Sequence, residues 1–360
     1  MSKLHEIHAE VGQSIWLDYI GRSLINSGEL KQMIDDGLRG MTSNPTIFAE
    51  AIGESRDYDE NVRRLAKEGK AVEEIYEAIA IADVRSAADL FLPIYKESDF
   101  TDGFVSLEVN PNLAYDTEGA IEEARRLFAQ VNRPNVMIKV PATEAGIPAI
   151  ATLIGEGINI NVTLMFSLAH YEAVSDAYLQ GMESLIEREV DLGRVASVAS
   201  FFVSRIDTQV DEQLEARGED KLLGQIGIAN AKMAYARYLT VFSSPRWLRL
   251  AKLGAHPQRI LFGSTSVKNP AYPETMYVDN LMGANTINTL PRQTIQATQA
   301  AATVTSGLTA NLEEARRQLV RLGQLGINLE KITADLQAAG VHKFAKSFDE
   351  LTDAIHKKSA

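Results

Sequence analysis

Short apolar or alternating runs recur along the chain, and amphipathic helical patterns separate most of them. Strands alternating with helices are typical of a parallel sheet. Eight strands in a chain of 360 residues predict an α/β fold, a closed (β/α)8 TIM barrel. The predicted strands are Ser14–Ile20, Leu38–Ser43, Phe104–Val109, Val136–Val140, Ile158–Phe166, Val195–Phe202, Ile260–Thr265 and Asn285–Leu290. The clearest of the predicted helices between them are Ala145–Ile154, Ala169–Glu187, Asp207–Glu215 and Ala229–Val241.

A single barrel domain is predicted over 1–360, with extra helices in two places. A helical insertion is expected after the second strand, at about 45–103, and a helical C-terminal tail at about 311–360. The helices predicted in the insertion are Tyr58–Ala66, Val72–Asp83 and Ala87–Lys96. Those predicted in the tail are Leu312–Leu322, Leu329–Ala338 and Val341–His356.

The fourth predicted strand carries a lysine within an otherwise apolar run, Val-Met-Ile-Lys-Val at 136–140. Strand alternation places Lys139 on the face opposite Ile138 and Val140. One interpretation is a lysine at a strand end whose ammonium reaches solvent while its stem stays buried. The other is a desolvated amine able to form a Schiff base with a carbonyl. The strand alone leaves both open.

Polar residues cluster at the carboxyl ends of the strands, where (β/α)8 barrels build their active sites. Each residue alone has an ordinary explanation: a helix cap for Asp18, a paired carboxylate for Glu108, a solvated charge for Arg205. Their regular recurrence at strand ends favours a shared site. The set comprises Asp18, Asn44, Glu108, Lys139, Asn161, Thr163, Ser200, Arg205, Ser266 and Lys268.

These residue types suit carbon–carbon bond cleavage next to a carbonyl. That reaction needs an electron sink, which a protonated Schiff base on lysine supplies without metal or cofactor. Two carboxylates, Glu108 and Asp18, can divide the proton transfers between them. Hydroxyl and amide groups can position substrate and water, and basic residues can hold a phosphate.

Composition narrows the function classes further. The chain has no cysteine, which excludes disulfides, thiolate nucleophiles and cysteine metal sites. Its net charge of −12 makes nucleic acid and anionic membranes poor partners. Neither a signal peptide nor an apolar run long enough to span a membrane is present, so we expect a cytoplasmic protein.

A histidine-based metal site is not expected either. The six histidines are scattered, and none falls in a predicted strand. His5-Glu6-Ile7-His8 lacks the spacing of the His-Glu-x-x-His zinc motif.

At these residues the sequence resembles the transaldolases, class I Schiff-base enzymes of the pentose phosphate pathway, in their longer bacterial-type subfamily. The resembling blocks span most of the predicted barrel, and the lysine and Asn-x-Thr blocks are the most specific. In chain order they are Trp-Leu-Asp at 16–18, Thr-Ser-Asn-Pro-Thr at 42–46, Glu-Val at 108–109, Ile-Lys-Val-Pro-Ala-Thr at 138–143, Asn-Ile-Asn-Val-Thr-Leu-Met-Phe-Ser at 159–167 and Ser-Phe-Phe-Val-Ser-Arg-Ile-Asp at 200–207.

The resemblance implies a transferase that moves dihydroxyacetone from sedoheptulose 7-phosphate to glyceraldehyde 3-phosphate, giving erythrose 4-phosphate and fructose 6-phosphate. It implies that Lys139 forms the Schiff base and that Glu108 acts through a water held by Thr163. Asp18 would take the proton of the C4 hydroxyl as the C3–C4 bond breaks. The other residues implied at the substrate are Asn44, Asn161, Ser200, Phe202, Arg205, Ser266 and Lys268.

One departure and two alternatives accompany the resemblance. Many transaldolases carry arginine where this chain has Lys268, and lysine lacks the two-pronged geometry of arginine. A fructose-6-phosphate aldolase would share the Schiff base, but that branch usually has Gln at the position of Glu108 and Tyr at that of Phe202. A non-catalytic sugar-phosphate binding protein would not need both carboxylates and the lysine. Whether the protein is a monomer or a homodimer is left open.

Overall fold

Eight parallel strands close into a barrel in the computed structural model of the protein, which describes residues 2–359. Each strand pairs with its sequence neighbours, and β8 pairs with β1. The strands are β1 Gln13–Asp18, β2 Met41–Thr42, β3 Val105–Glu108, β4 Val136–Pro141, β5 Ile160–Met165, β6 Ser197–Phe202, β7 Arg259–Gly263 and β8 Thr286–Leu290. The predicted (β/α)8 barrel is confirmed.

Sixteen α-helices surround or cover the barrel within residues 2–359. None of them combines the length and the apolar character that a membrane crossing requires. They are α1 Lys3–Val11, α2 Arg22–Asn26, α3 Glu29–Asp35, α4 Pro45–Glu54, α5 Asp59–Lys67, α6 Val72–Glu97, α7 Thr117–Val131, α8 Gly146–Ile154, α9 Leu168–Glu187, α10 Ser204–Glu215, α11 Ile226–Val241, α12 Pro245–Ala251, α13 Met276–Asn280, α14 Arg292–Ala301, α15 Leu312–Gln324 and α16 Leu329–Ser359.

Strand register brings polar residues of neighbouring strands to one level inside the barrel. Glu108 on β3 lies opposite Lys139 on β4, and Lys139 lies opposite Asn161 on β5. The alternate residues Ile138 and Val140 belong to the main apolar core, which joins the strands to the outer helices. The alternation of side chains along β3 and β4 therefore places Glu108 and Lys139 inside the barrel.

The first two strands are shorter than predicted. Strand β1 ends at Asp18 rather than Ile20, so this carboxylate stands at the carboxyl end. Strand β2 comprises only Met41 and Thr42. On one side the Leu38 amide still bonds to the Met33 carbonyl of the preceding helix. On the other side α4 begins at Pro45, which pre-sets the backbone for a first helical turn.

The regular alternation of strand β5 ends after Thr163. The register between β5 and β6 shifts between Val162 and Met165. Leu164 has a positive φ of 57° there and shares a second apolar cluster, separate from the main core, with Phe344 of α16. This register shift thus accompanies the packing of an apolar side chain against the helix that covers the barrel.

Two predicted helix breaks are also wrong. Val72–Asp83 and Ala87–Lys96 form one helix, α6, and the last two tail helices form one helix, α16. Gly340 lies within α16, and Leu164 leaves little room for a side chain at this position. A Cβ at Gly340 would lie 2.7 Å from Leu164 Cδ2. This glycine marks a close packing contact, and the helix continues through it.

Candidate active site

Lys139 is the buried cation at the centre of the barrel's carboxyl end. It is only 5% exposed, and its Nζ lies 3.2 Å from Glu108 Oε2. The ammonium also donates to the Ser43 carbonyl at 2.9 Å, and the ring of Phe344 lies over it at 6.0 Å. A snorkelling ammonium would reach solvent, whereas this one is enclosed by protein groups.

Glu108 is 8% exposed and carries the nearest negative charge to Lys139. Burial raises the pKa of its carboxyl, the Lys139 charge opposes that rise, and the charge of Asp18 adds to it. Within residues 2–359, Thr163 Oγ1 is buried without a hydrogen-bond partner, whereas the buried Glu108 Oε2 contacts Lys139 Nζ at 3.2 Å. The Thr163 hydroxyl is therefore free to bond to a substrate or water.

A short hydrogen-bond chain orients the amide of Asn161 beside the lysine. Its Nδ2 donates to Ser106 Oγ at 2.9 Å, and its Oδ1 accepts from Ser200 Oγ at 2.7 Å. All three side chains are buried. Ser200 of β6 is therefore linked to the residues around Lys139 through its hydrogen bond to Asn161.

Asp18 occupies the end of β1 on the other side of the barrel. Its Oδ1 accepts from the Thr42 hydroxyl at 2.7 Å, and Thr42 also contacts Thr289 Oγ1 at 2.7 Å. Burial raises the pKa of Asp18, while the Lys139 charge and the Thr42 hydrogen bond oppose that rise. A carboxylate poised in this way can accept and return a proton.

A cavity of about 600 Å³ opens above this polar centre, and we call it the mouth cavity. Of the residues predicted for the site, it brings together Asp18, Asn44, Phe202, Arg205, Ser266 and Lys268. The others, Glu108, Lys139, Asn161, Thr163 and Ser200, are buried within the barrel. Asn44 has a structural task too, because its Oδ1 caps α4 by accepting from the Ile47 amide at 3.0 Å.

The cations of the mouth cavity are largely unneutralised. Arg205 lies 5.5 Å from the ring centre of Phe202, and Lys268 donates to Ser266 Oγ at 2.7 Å. Within residues 2–359 neither forms an ion pair with a carboxylate, as the salt bridges there involve other residues. Burial lowers the pKa of Lys268, and the nearby charges of Arg205 and Lys343 lower it further. This positive rim suits an anionic group.

Comparison of the sequence with known proteins identifies a family. A family model described as transaldolase/fructose-6-phosphate aldolase matches residues 15–355. The chain belongs to this family. A protein named transaldolase from Saccharopolyspora erythraea is 46% identical over 356 residues, covering 98% of this chain and 97% of its own length. Similar proteins are a transaldolase of Thermobifida fusca, 45% identical over 98% of this chain and 97% of its own, and a transaldolase 2 of Streptomyces avermitilis, 46% identical over 94% and 93%.

In this family member, helix α16 completes the mouth with residues that the sequence did not single out. Lys343 and Phe344 line the mouth cavity. Gln337 fixes the helix over the barrel, because its Nε2 donates to the carbonyls of Ala142 and Leu164 at 2.8 and 3.0 Å. The amphipathic pattern of the tail signalled a packed helix but not which surface it covers.

Strand β2 contributes a second missed pair, Thr42 and Ser43. Thr42 bonds Asp18 through its side chain, and Ser43 receives the Lys139 ammonium through its backbone carbonyl. Because any residue offers a backbone carbonyl, the residue type at position 43 does not indicate the contact with Lys139. The Thr-Ser-Asn-Pro-Thr block at 42–46 contains both residues, but the resemblance implies a substrate contact only for Asn44.

Proposed function

We propose that this chain is a transaldolase acting through a Schiff base on Lys139. It transfers dihydroxyacetone from sedoheptulose 7-phosphate to glyceraldehyde 3-phosphate, releasing erythrose 4-phosphate and fructose 6-phosphate. The observation that carries the proposal is the buried pair of Lys139 and Glu108, 3.2 Å apart at the carboxyl end of the barrel. The proposal includes no metal or cofactor, a cytoplasmic location, and a monomer or homodimer.

The first step forms the Schiff base. A proton moves from Lys139 to Glu108, so that a neutral amine attacks the C2 carbonyl of the ketose. Glu108, through a water held by Thr163, then returns this proton to the leaving hydroxyl, which departs as water. One of the two amine hydrogens moves to the former carbonyl oxygen when the carbinolamine forms, and the other stays on the nitrogen of the protonated imine, so no net proton is gained or lost. The raised pKa of Glu108 supports its role as the proton donor.

The second step breaks the C3–C4 bond. Asp18 takes the proton of the C4 hydroxyl, the aldose leaves as an aldehyde, and the bond's electron pair moves into the imine to form an enamine. The acceptor aldehyde is then attacked by the enamine, and Asp18 gives the proton back to the new hydroxyl. The Thr42 hydrogen bond supports this role by holding the carboxylate in place.

The remaining residues bind the two ends of the sugar. Asn44, Asn161 and Ser200 hold the dihydroxyacetone unit, and Phe202 closes the wall beside it. At the far end, the phosphate meets Arg205, Lys268 and Ser266, with Lys343 of α16 as a further cation. Lys268 acts as a point charge, whose position the Ser266 contact supports.

An acceptor-dependence assay tests this function against its alternatives. The purified protein is incubated with fructose 6-phosphate, with and without erythrose 4-phosphate, and sedoheptulose 7-phosphate and free dihydroxyacetone are measured. We expect sedoheptulose 7-phosphate to form only with the acceptor, and little free dihydroxyacetone in either case. Rapid release of free dihydroxyacetone without acceptor would identify an aldolase, and binding with no conversion would identify a non-catalytic sugar-phosphate protein.

A further inference from the structure

A second cavity reaches Glu108 from the side of the barrel, between β3, α6 and α7, and we call it the side cavity. Its volume is about 140 Å³. Its lining residues range from the exposed Glu73 and Arg126 to the buried Glu108. Among residues 2–359, none lines both the side cavity and the mouth cavity. Glu108 thus has an approach that does not pass through the mouth.

The inner half of the side cavity is polar around Tyr76. This ring is held by edge-to-face contacts with Phe48 and Phe348, at centroid distances of 5.7 and 5.5 Å. Burial raises the pKa of the Tyr76 hydroxyl, and the charges of Glu108 and Glu123 raise it further. Tyr76 lines the side cavity together with both of these glutamates.

The outer half is built by Glu123 and its neighbours. Glu123 Oε2 accepts from the Asn110 amide at 2.6 Å, and burial raises the pKa of this carboxyl. Arg126 lies 3.5 Å from Glu123 Oε1 and pairs with Glu77 at the surface. Charged residues therefore line the side cavity together with Tyr76 and Glu108.

This polar lining argues against a simple packing defect. Empty cavities in proteins are apolar, whereas cavities with several polar partners hold water, and one water occupies about 30 Å³ of liquid volume. The side cavity has room for more than one water and offers each of them several partners. Its buried end is also the group that, under the proposed function, delivers the proton to the leaving hydroxyl.

Schiff-base chemistry needs such a path. Carbinolamine dehydration breaks the C2–O bond and releases one water, and hydrolysis of the imine consumes one. Both events take place while the sugar fills the mouth cavity and Phe344 covers Lys139. We propose that the side cavity is the route by which this water exchanges with solvent, with Tyr76 and Glu123 as its hydrogen-bonding stations. The inference rests on the proposed function.

Oxygen exchange measures this route directly. Unlabelled fructose 6-phosphate is incubated with the enzyme in water enriched in oxygen-18, and label at C2 is followed by mass spectrometry. Each imine that forms, loses its water to solvent and is hydrolysed by solvent water gives a labelled ketose. If the released water stays trapped, the original oxygen returns. Lys139→Met supplies the background of uncatalysed exchange, and trapping with borohydride gives the rate of imine formation separately.

Ala80→Leu is the variant that fills the side cavity, since Ala80 lines it from α6 and is buried. Ala82→Leu is the matched control, because Ala82 is exposed on the same helix. We expect Ala80→Leu to form the imine at the wild-type rate but to exchange oxygen several-fold more slowly, while Ala82→Leu matches the wild type. Ala80→Val, with a smaller side chain, should give an intermediate exchange rate and serves if Ala80→Leu does not fold.

The outcomes separate this inference from the function it rests on. If both Ala80 variants trap as much imine as the wild type and also exchange oxygen as fast, the side path is wrong and the transaldolase proposal stands. An equal loss of imine formation and exchange would show a distorted Glu108 rather than a blocked path, and would equally overturn the inference. If the wild type forms no imine on Lys139, the proposed function itself fails.

Discussion

Lys139 Nζ and Glu108 Oε2 lie 3.2 Å apart in a part of the barrel where both side chains are almost completely buried. A buried ion pair gains little stability over apolar residues of similar size, whereas a buried charge left without its partner is costly. The pair can exist as ammonium and carboxylate or, after one proton moves, as amine and carboxylic acid. The second form is the one that Schiff-base formation requires.

Lys139→Met should make stability depend on pH. The Lys139 charge opposes the rise in the Glu108 pKa, so without it the folded protein holds the Glu108 proton more strongly. The folded state then binds more protons than the unfolded chain above the ordinary glutamate pKa of 4.5. The free energy of unfolding should therefore fall as pH rises from 5 to 8, by at most about 1.4 kcal/mol per pH unit for this one proton, or roughly 4 kcal/mol in all.

Urea unfolding of wild type, Lys139→Met and Lys139→Met/Glu108→Gln at both pH values checks this prediction. The double variant carries no ionisable group at either position, so the additional pH dependence should disappear. Equal pH dependence in the single and double variants would contradict the assignment of this effect to Glu108.

Asp18→Asn should separate imine formation from bond cleavage. The amide keeps the size of the side chain but cannot accept the C4 hydroxyl proton, so turnover should fall by roughly 10²–10⁴. Trapping with borohydride should still label Lys139, because Asp18 has no part in that step. A variant that no longer labels would show that Asp18 is needed for the first step as well.

Thr42→Val should shift the pH dependence of turnover. The Thr42 hydrogen bond holds down a pKa that burial raises, so its loss raises the Asp18 pKa further. Because Asp18 acts as the base, the acidic limb of the kcat–pH profile should move to higher pH. Movement to lower pH, or no movement, would count against Asp18 as the group observed in that limb.

Arg205→Ala and Lys268→Ala should each raise KM for fructose 6-phosphate, with little effect on trapping of unphosphorylated fructose. A hydrogen bond to a charged group contributes about 1.5–3 kcal/mol, which corresponds to roughly a ten- to hundred-fold change. Arg292→Ala is the control: Arg292 lines the same cavity but pairs with Glu29 and stacks on Tyr19. If Arg292→Ala raises KM as much, the phosphate is not bound specifically by Arg205 and Lys268.

Gly340→Ala should destabilise the protein, whereas Gly323→Ala should stabilise it. A Cβ at Gly340 would lie 2.7 Å from Leu164 Cδ2, and overpacking of this kind costs about 1–3 kcal/mol. At Gly323, inside α15, a Cβ meets nothing within 4 Å, so only the roughly 0.5–1 kcal/mol preference of helices for alanine remains. Thermal unfolding of both variants provides the comparison, and a Gly340→Ala variant as stable as Gly323→Ala would contradict the packing role of Gly340.

The sequence predicted those features that depend on periodicity. Eight apolar runs separated by helices indicate a barrel, and Lys139 is conspicuous because a charge interrupts one of the runs. The register shift in β5 could not be predicted, since Leu164 adopts a positive φ that favours glycine or asparagine. Leu164 shares an apolar cluster with Phe344 of α16, about 180 positions away in the chain, and a contact over that distance leaves no local sequence pattern.

The part of α16 that covers the mouth cavity could not be predicted either, because it contacts strands that are distant in the chain. Phe344 and Lys343 belong to an amphipathic tail whose pattern shows that one face is buried but not on what. Gly340 favoured a helix end, yet its small size serves the contact with Leu164. The sequence therefore indicates Lys139 as a candidate catalytic residue, but it does not predict which residues cover this lysine.

Peptide mapping after reductive trapping tests the central claim most directly. The protein is incubated with fructose 6-phosphate, reduced with borohydride, digested and analysed by mass spectrometry. Lys232 is an internal control, since it is also buried but donates to the Ala310 carbonyl at 2.8 Å outside the site. We predict a single reduced dihydroxyacetone adduct, on Lys139 and not on Lys232. An adduct on another lysine, or none at all, would contradict the Schiff-base role of Lys139.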